Sequence, residues 1–293
     1  MKKGGSSAIY VRLMGGLGNQ LFQYAMGRNL ADEKGVDLLL DPRYVNRKAF
    51  KSGLAIELFN VRARILQDHE LPLLPEWAWK LSRAVRRVWR PLLGFYHETA
   101  HCYDAGLTNQ TIGLMLSGFW QSHKYFGLYQ NLVNDLSMVV PLSGKQLELA
   151  ARIANCTSVA VHVRRGDYVS NKKALNKHGL CSVGYYQHAV AHMEMKLPTP
   201  TFFVFSDDPQ WVRDNIQLDN AVYVSDEGFA QEVDLMLISL CKHQIIANSS
   251  FSWWGAYLNQ DENKCVIAPS PWFNDPSLVD TDMYPDHWIK VAK

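Results

Sequence analysis

Between residues 158 and 268, short apolar runs alternate with longer stretches of helical pattern. The runs 158–163, 201–205, 221–224, 244–247 and 264–268 are rich in Val, Ile, Phe and Ala and read as strands; 185–196, 232–241 and 252–259 read as helices. A continuous apolar run is what a strand buried on both faces requires. A parallel neighbour is reached only through a crossover, usually a helix. The alternation therefore predicts a parallel sheet covered by helices. The start of the chain follows the same logic. A strand over 8–14 leads into a turn at Gly15-Gly16-Leu17-Gly18 and a helix over 19–34, in which Phe22, Met26 and Leu30 recur every fourth residue. Gly35 serves as its C-cap, and a strand over 36–40 follows. The expected class is α/β, with parallel sheets in two domains. With 293 residues and roughly 150 per domain, the division is placed at 1–150 and 151–293. A helix over 143–155, opened by Ser143 as cap, forms the joint.

Composition removes several classes of function. Lys and Arg number 30 against 28 Asp and Glu, a net charge of +2, without the basic excess of a nucleic-acid groove. Hydrophobic residues at 47% and charged residues at 20% fit a folded chain. No apolar run approaches the roughly 18 residues of a membrane span. Arg12 interrupts the stretch behind Met1-Lys2-Lys3 too early for a signal peptide. Cys102, Cys156, Cys181, Cys241 and Cys265 are odd in number and form no C-x-x-C, so free thiols in a cytoplasmic setting are expected. The stretch 76–93, from Glu76 to its end at Leu93, sets Trp77, Trp79 and Trp89 among Lys80, Arg83, Arg86, Arg87 and Arg90. A surface helix with one buried stripe is the preferred reading. A helix lying on an anionic membrane, peripheral to the inner membrane, is the alternative.

Four polar clusters follow strands, where open α/β sheets bind ligands. The glycine turn brings Gly16 and Gly18 to the start of a helix, with Asn19 and Gln20 adding polar groups there. It mimics G-x-G-x-x-G, yet Leu21 stands where the third glycine belongs, which weakens a dinucleotide site. Asn19 as a plain N-cap is the structural alternative. The second cluster, His162-Val163-Arg164-Arg165-Gly166-Asp167-Tyr168, puts two guanidinium groups at one strand end, a natural grip for phosphate. An Arg–Asp ion pair in a loop is its alternative. In Asn248-Ser249-Ser250-Phe251-Ser252-Trp253-Trp254-Gly255, Ser249 and Ser250 at a helix start suit phosphate, whereas the tryptophans read as core. The fourth, Phe205-Ser206-Asp207-Asp208, reads either as a partner for ribose or a guanine edge or as a capping pair before Pro209. Two lookalikes are set aside. His188 and His192 lack the Glu of H-E-x-x-H, and Asp280-Thr281-Asp282 resembles a metal-binding D-x-D but lies in a Pro-rich tail.

Taken together and in order, G-G-L-G-N-Q-L-F-Q-Y-A from Gly15, H-V-R-R-G-D-Y from His162, F-S-D-D from Phe205 and N-S-S-F-S-W-W-G-A from Asn248 resemble the α-1,2-fucosyltransferases of glycosyltransferase family 11, over about residues 8 to 268. The resemblance implies a GT-B fold with the site in the cleft between two Rossmann-like halves. It also implies GDP-L-fucose as donor, a β-galactoside acceptor, inversion at the anomeric carbon, and no metal or other cofactor. By position, Arg164 would hold the β-phosphate with Arg165 and Asp167 in support. His162 and Asp207 would lie near the guanosine, Asp208 would belong to the same donor site, and Ser249, Ser250 and Phe251 would line the diphosphate. Asn19 would face fucose and acceptor. For the proton of the acceptor hydroxyl, Asp167, His162 and the departing phosphate all remain open. Animal members carry an N-terminal membrane anchor that is not seen here, which suggests the soluble bacterial type, active in surface polysaccharide or O-antigen synthesis. Two rivals remain: a nucleotide-dependent oxidoreductase built on the glycine turn, and a non-catalytic glycan-binding, membrane-associated protein built on the Trp/Arg stretch.

Overall fold

The computed structural model describes residues 8–46, 53–67, 94–99, 101–109, 112–126 and 129–293, together with Glu70, Trp77, Lys80, Leu81 and Ala84. The chain divides into two compact units, Met1–Val139 and Val140–Lys293. The boundary falls before the expected one at 150. The helix Lys145–Ala154 packs on the helix Gln231–Leu240 and so belongs wholly to the second unit. That helix is capped by Gly144 without a side-chain bond, not by Ser143.

In the N-terminal unit, strands β1 (Ala8–Arg12), β2 (Asp37–Asp41), β3 (Arg64–Ile65), β4 (Phe95–His97) and β5 (Met115–Ser117) form a sheet in the order β3-β2-β1-β5-β4. Every pairing is parallel. Helix α1 (Leu17–Lys34) lies between β1 and β2 and ends at Gly35, whose φ of 61° is the left-handed cap expected of glycine. Gly27 of α1 is set close against the sheet, since a Cβ there would stand 2.7 Å from Val11. The helix α2 (Tyr129–Asp135) closes the unit. Its Asp135 accepts from the Tyr24 hydroxyl at 2.6 Å and from Arg28 Nε at 3.1 Å.

In the C-terminal unit, β6 (Ser158–Val163), β7 (Thr201–Ser206), β8 (Ala221–Tyr223), β9 (His243–Ile245), β10 (Val266–Ser270) and β11 (Ile289–Ala292) are ordered β11-β10-β9-β6-β7-β8. These pairings are also all parallel. The last strand is therefore β11, not the run ending at Ala268. The helices are α3 (Lys145–Ala154), α4 (Gly166–Ser170), α5 (Lys172–His178), α6 (Val183–Lys196), α7 (Pro209–Asn215), α8 (Gln231–Leu240) and α9 (Ser250–Leu258). One face of the sheet is sealed by Tyr185, Tyr186, Val190 and Met193 of α6 against Val159, Val161, Phe202 and Ile245, all buried. The expected α/β class with two parallel-sheet, GT-B-type units is borne out, and all five cysteines are free thiols.

Most of the stretch 76–93 lies outside the described residues. Within it Trp77, Lys80, Leu81 and Ala84 are helical and exposed. Among the described residues no helix is long and apolar enough to cross a membrane.

Candidate active site

Three neighbouring strands of the C-terminal unit, β9, β6 and β7, end side by side, and each runs into one of the polar motifs. Arg164 Nη1 lies 2.9 Å from Asp207 Oδ2. The other oxygen of Asp207 accepts the Arg165 backbone N–H at 2.8 Å. One carboxylate after β7 thus fixes two residues after β6. Gly166 makes room for it, since a Cβ there would stand 2.5 Å from Asp207 Oδ2. The Arg164 side chain remains 37% exposed, and its guanidinium carbon lies 5.9 Å from the Tyr168 ring centroid. It is an oriented cation still open to solvent and able to meet an anion.

Arg165 has a different setting. Its Nε donates to Asp208 Oδ2 at 3.1 Å, and its guanidinium lies 4.0 Å over the Trp211 ring. Asp208 is the N-cap of α7 and accepts the Trp211 N–H at 3.2 Å. Arg165 and Asp208 together fasten α7 to the end of β6. The aspartates that the sequence left as one pair with two readings therefore divide: Asp208 caps, and Asp207 orients Arg164. Asp167 sits in α4, and its side chain lies outside the described residues.

His162 is buried with its ring 5.6 Å from that of Phe251, which joins the β6 motif to the one after β9. Burial, and secondarily the charge of Arg164, pushes its pKa down to about 3. An imidazole so held is neutral at neutral pH and too weak a base to take a hydroxyl proton efficiently. Its Nδ1 has no hydrogen-bond partner among the described residues.

Asn248 is a structural node. Its Nδ2 donates to the carbonyls of His178 at 2.7 Å, Trp272 at 3.2 Å and Gly179 at 3.3 Å. Ser249 caps α9 by accepting the Phe251 N–H at 3.3 Å. The first turn of α9, from Ser250, so offers backbone N–H groups and the positive end of the helix dipole. Trp253 and Trp254 are fully buried, as read from sequence. Gly255 admits Ile238 of α8, whose Cγ2 would lie 2.3 Å from a Cβ at that position.

In the N-terminal unit the glycine motif folds differently from its reading. Gly15 takes φ 77° and Gly16 is the helix cap, while Leu17 and Gly18 already belong to α1. Asn19 is therefore inside the first turn and not the cap. Gln20 Oε1 accepts the N–H groups of Ala55 at 2.9 Å and Ile56 at 3.2 Å, and its Nε2 donates to the carbonyls of Gly53 and Gly15. Gln23 bonds both the N–H and the carbonyl of Met14, and also the carbonyl of Gly118. Both glutamines are thus consumed in holding loops.

Sequence reasoning missed a second cluster here. Glu98, directly after β4, accepts the backbone N–H groups of Phe119 at 2.7 Å and Trp120 at 3.0 Å, directly beyond β5. Trp120 takes φ 56°, a left-handed conformation that costs a bulky residue roughly 1–3 kcal/mol. Gln121 Nε2 donates to Asn19 Oδ1 at 2.7 Å. The one sequence signal was Gly118, a glycine and polar turn behind a short apolar run, like the motifs that were read.

Asp280 Oδ2 accepts from the Trp272 N–H at 2.7 Å and the Tyr284 hydroxyl at 3.2 Å, and Asp282 is buried. Among the described residues no group of three His, Cys, Asp or Glu side chains is placed to hold a metal ion.

Two parallel-sheet units, one with an arginine and a helix start at its carboxyl edge, place the chain among the open α/β folds, whose ligands bind at that edge. The model for glycosyl transferase family 11 matches residues 8–292, and the chain belongs to that family; it is a glycosyltransferase. It is 34% identical to an alpha-1,2-colitosyltransferase of Escherichia coli over 98% of this chain and 100% of the relative. It is 29% identical to the O-antigen biosynthesis glycosyltransferase WbnK of Escherichia coli over 97% of this chain and 100% of the relative. The mouse (Mus musculus) galactoside 2-alpha-L-fucosyltransferase Sec1 is 34% identical over 85% of this chain and 63% of its own length. Among solved structures, a mutant of Arabidopsis thaliana FUT1 in complex with GDP shares the fold at a TM-score of 0.52 and 13% identity, over 97% of this chain and 76% of that one.

Proposed function

We propose that the protein transfers L-fucose from GDP-L-fucose to the 2-hydroxyl of a terminal β-galactoside, with inversion and without a metal, in the assembly of a surface polysaccharide. The observation that carries this reading is Arg164, held by Asp207 at the end of β6, the strand beside β9, whose chain runs on into α9. Rupture of the sugar–phosphate bond places negative charge on GDP. A guanidinium fork and free helix N–H groups, already oriented, stabilise that charge without reorganising. His162, neutral and against Phe251, lines the nucleotide side, and Ser249 and Ser250 flank the diphosphate. With the imidazole too weak a base, the hydroxyl proton goes to Asp167 or to the departing phosphate.

The colitosyltransferase relative makes the donor sugar the point to test. Colitose is fucose without its 3-hydroxyl. A site that hydrogen-bonds that hydroxyl discriminates against the deoxy sugar by about 10⁴ or more. Purified protein with a panel of β-galactosides is expected to consume GDP-L-fucose, to do so in excess chelator, and to leave NAD(P)H untouched. Turnover confined to GDP-colitose replaces the donor. Loss of activity in chelator restores Asp280 and Asp282 as metal ligands, and turnover of neither nucleotide sugar overturns the reading.

Peripheral membrane contact through the stretch 76–93 is also proposed. Its support is that Trp77 and Leu81 stand one helical turn apart and are 65% and 45% exposed, with Lys80 beside them. Co-sedimentation with vesicles of anionic lipid is expected, weakened by salt; equal binding to neutral vesicles, or none, removes it.

A further inference from the structure

We propose that the turn at 118–121 is the acceptor-binding element of the N-terminal unit, clamped by Glu98 so that the side-chain amides of Gln121 and Asn19 together receive a hydroxyl of the acceptor sugar. For the identity of the ligand the inference rests on the glycosyl-transfer reading; for its place it rests on geometry.

The turn is held from several sides. Both Glu98 oxygens are committed to successive N–H groups of the turn. Gly118 leaves Glu98 the space it needs, since a Cβ there would stand 2.4 Å from Glu98 Cβ. The Gly118 carbonyl is taken by Gln23 at 3.1 Å. The Trp120 ring is fully buried, stacked on Tyr96 at 6.4 Å and edge-on to Tyr125 at 5.8 Å. A left-handed tryptophan secured this thoroughly is strain kept in place by its surroundings, a pattern concentrated at ligand sites.

The product of that effort is the position of Gln121. Its bond to Asn19 uses one donor and one acceptor. The Asn19 Nδ2 donor and the Gln121 Oε1 acceptor have no partner among the described residues. A sugar hydroxyl both donates and accepts, so it matches this pair. Gly15, at φ 77°, admits the Asn19 amide, which would lie 2.4 Å from a Cβ there. Trp120 Nε1 is a further buried donor without an acceptor. These groups sit at the carboxyl ends of β1, β5 and β4, three adjacent strands. Amides and aromatic rings fit a neutral saccharide rather than a phosphate.

The test uses the full chain and two variants, Gln121→Ala and Glu98→Gln. The second gives the clamp one acceptor in place of two and sets an amide N–H against a backbone N–H. Expected is a rise of about tenfold or more in the KM for a β-galactoside, with GDP affinity and the slow hydrolysis of donor without acceptor held within about twofold. A selective acceptor effect is one that general loosening of the fold does not produce. If Glu98→Gln fails to fold, Gln121→Ala carries the test. An unchanged acceptor KM, or a parallel loss of GDP affinity, overturns the proposal. Saturation-transfer NMR of β-galactosides with no donor present separates this inference from the transfer reading. Galactoside binding by wild type that disappears in Gln121→Ala sustains the element even if no nucleotide sugar is consumed. Absence of galactoside binding by the wild type, or its persistence in Gln121→Ala, rejects the element even if fucose is transferred.

Discussion

Replacing Arg164 with Ala is expected to lower kcat for GDP-fucose turnover by about 10²–10³, the loss typical of one oriented donor to a developing negative charge. The expectation rests on how the guanidinium is held. Asp207 Oδ2 lies 2.9 Å from Nη1, and the side chain is still 37% exposed on the edge where the diphosphate is proposed to lie. Arg164→Lys keeps the charge and loses the planar fork, so it should recover only part of the rate. Asp207→Asn acts through Arg164 and should cost less than the arginine itself. Arg165→Ala is the control for mere charge. That guanidinium is already paired with Asp208 and stacked on Trp211, so its loss should loosen α7 more than it slows the chemistry. Steady-state turnover and GDP binding, measured on each variant, decide the matter. Near-normal turnover by Arg164→Ala would falsify the assignment of roles.

The contrast between the two arginines shows where a sequence stops being readable. That an arginine pair follows a buried strand is visible in the order of residues, as is the polar edge of the sheet, because β6, β7 and the run Ile245-Ile246-Ala247 are apolar with polar residues directly after them. Which arginine is stacked and paired on a helix and which is held at the open edge depends on Asp207, Asp208 and Trp211, more than 40 residues away. Likewise Gln20 reads as a polar ligand group at a helix start. Loop backbone at Gly53 and Ala55 takes it instead, and nothing local announces that. In the N-terminal unit β3, β4 and β5 have two or three residues each, too short for any period to show. The Glu98 clamp spans 21 residues to reach Phe119, and a left-handed tryptophan has no sequence signature at all. The tryptophan pair after β9 is legible as core in the sequence, and burial agrees.

The largest loss of stability is expected from Asp41→Ala. Asp41 ends β2 with no exposure and accepts from Arg12 Nε at 3.0 Å and Nη2 at 2.9 Å, across the β1–β2 register. Arg43 adds its own Nε and Nη2 bonds. Arg43 is 28% exposed and can turn to water; Arg12, at 7%, cannot. Removing the carboxylate therefore takes both of these charged hydrogen bonds from a buried guanidinium, which costs roughly 3–5 kcal/mol. For a unit of this size that lowers Tm by roughly 6–20 °C. Burial alone raises the carboxyl pKa, but the hydrogen bond from Arg43 and the charges of Arg12 and Arg43 outweigh it and hold the group below the usual range. The sign of the pH dependence follows. A depressed folded pKa contributes stability that is complete above the unfolded value of about 3.9 and is lost as pH falls through the folded value. The Tm gap between wild type and Asp41→Ala should thus be constant from neutral pH to about 4 and close only in more acidic buffer. Replacing Arg12 and Asp41 together with apolar residues removes the buried charge along with its counter-ion and should recover much of the loss. Thermal unfolding across that pH range measures all three, and a gap of less than about 2 °C at neutral pH would show that Arg12 finds another partner or water.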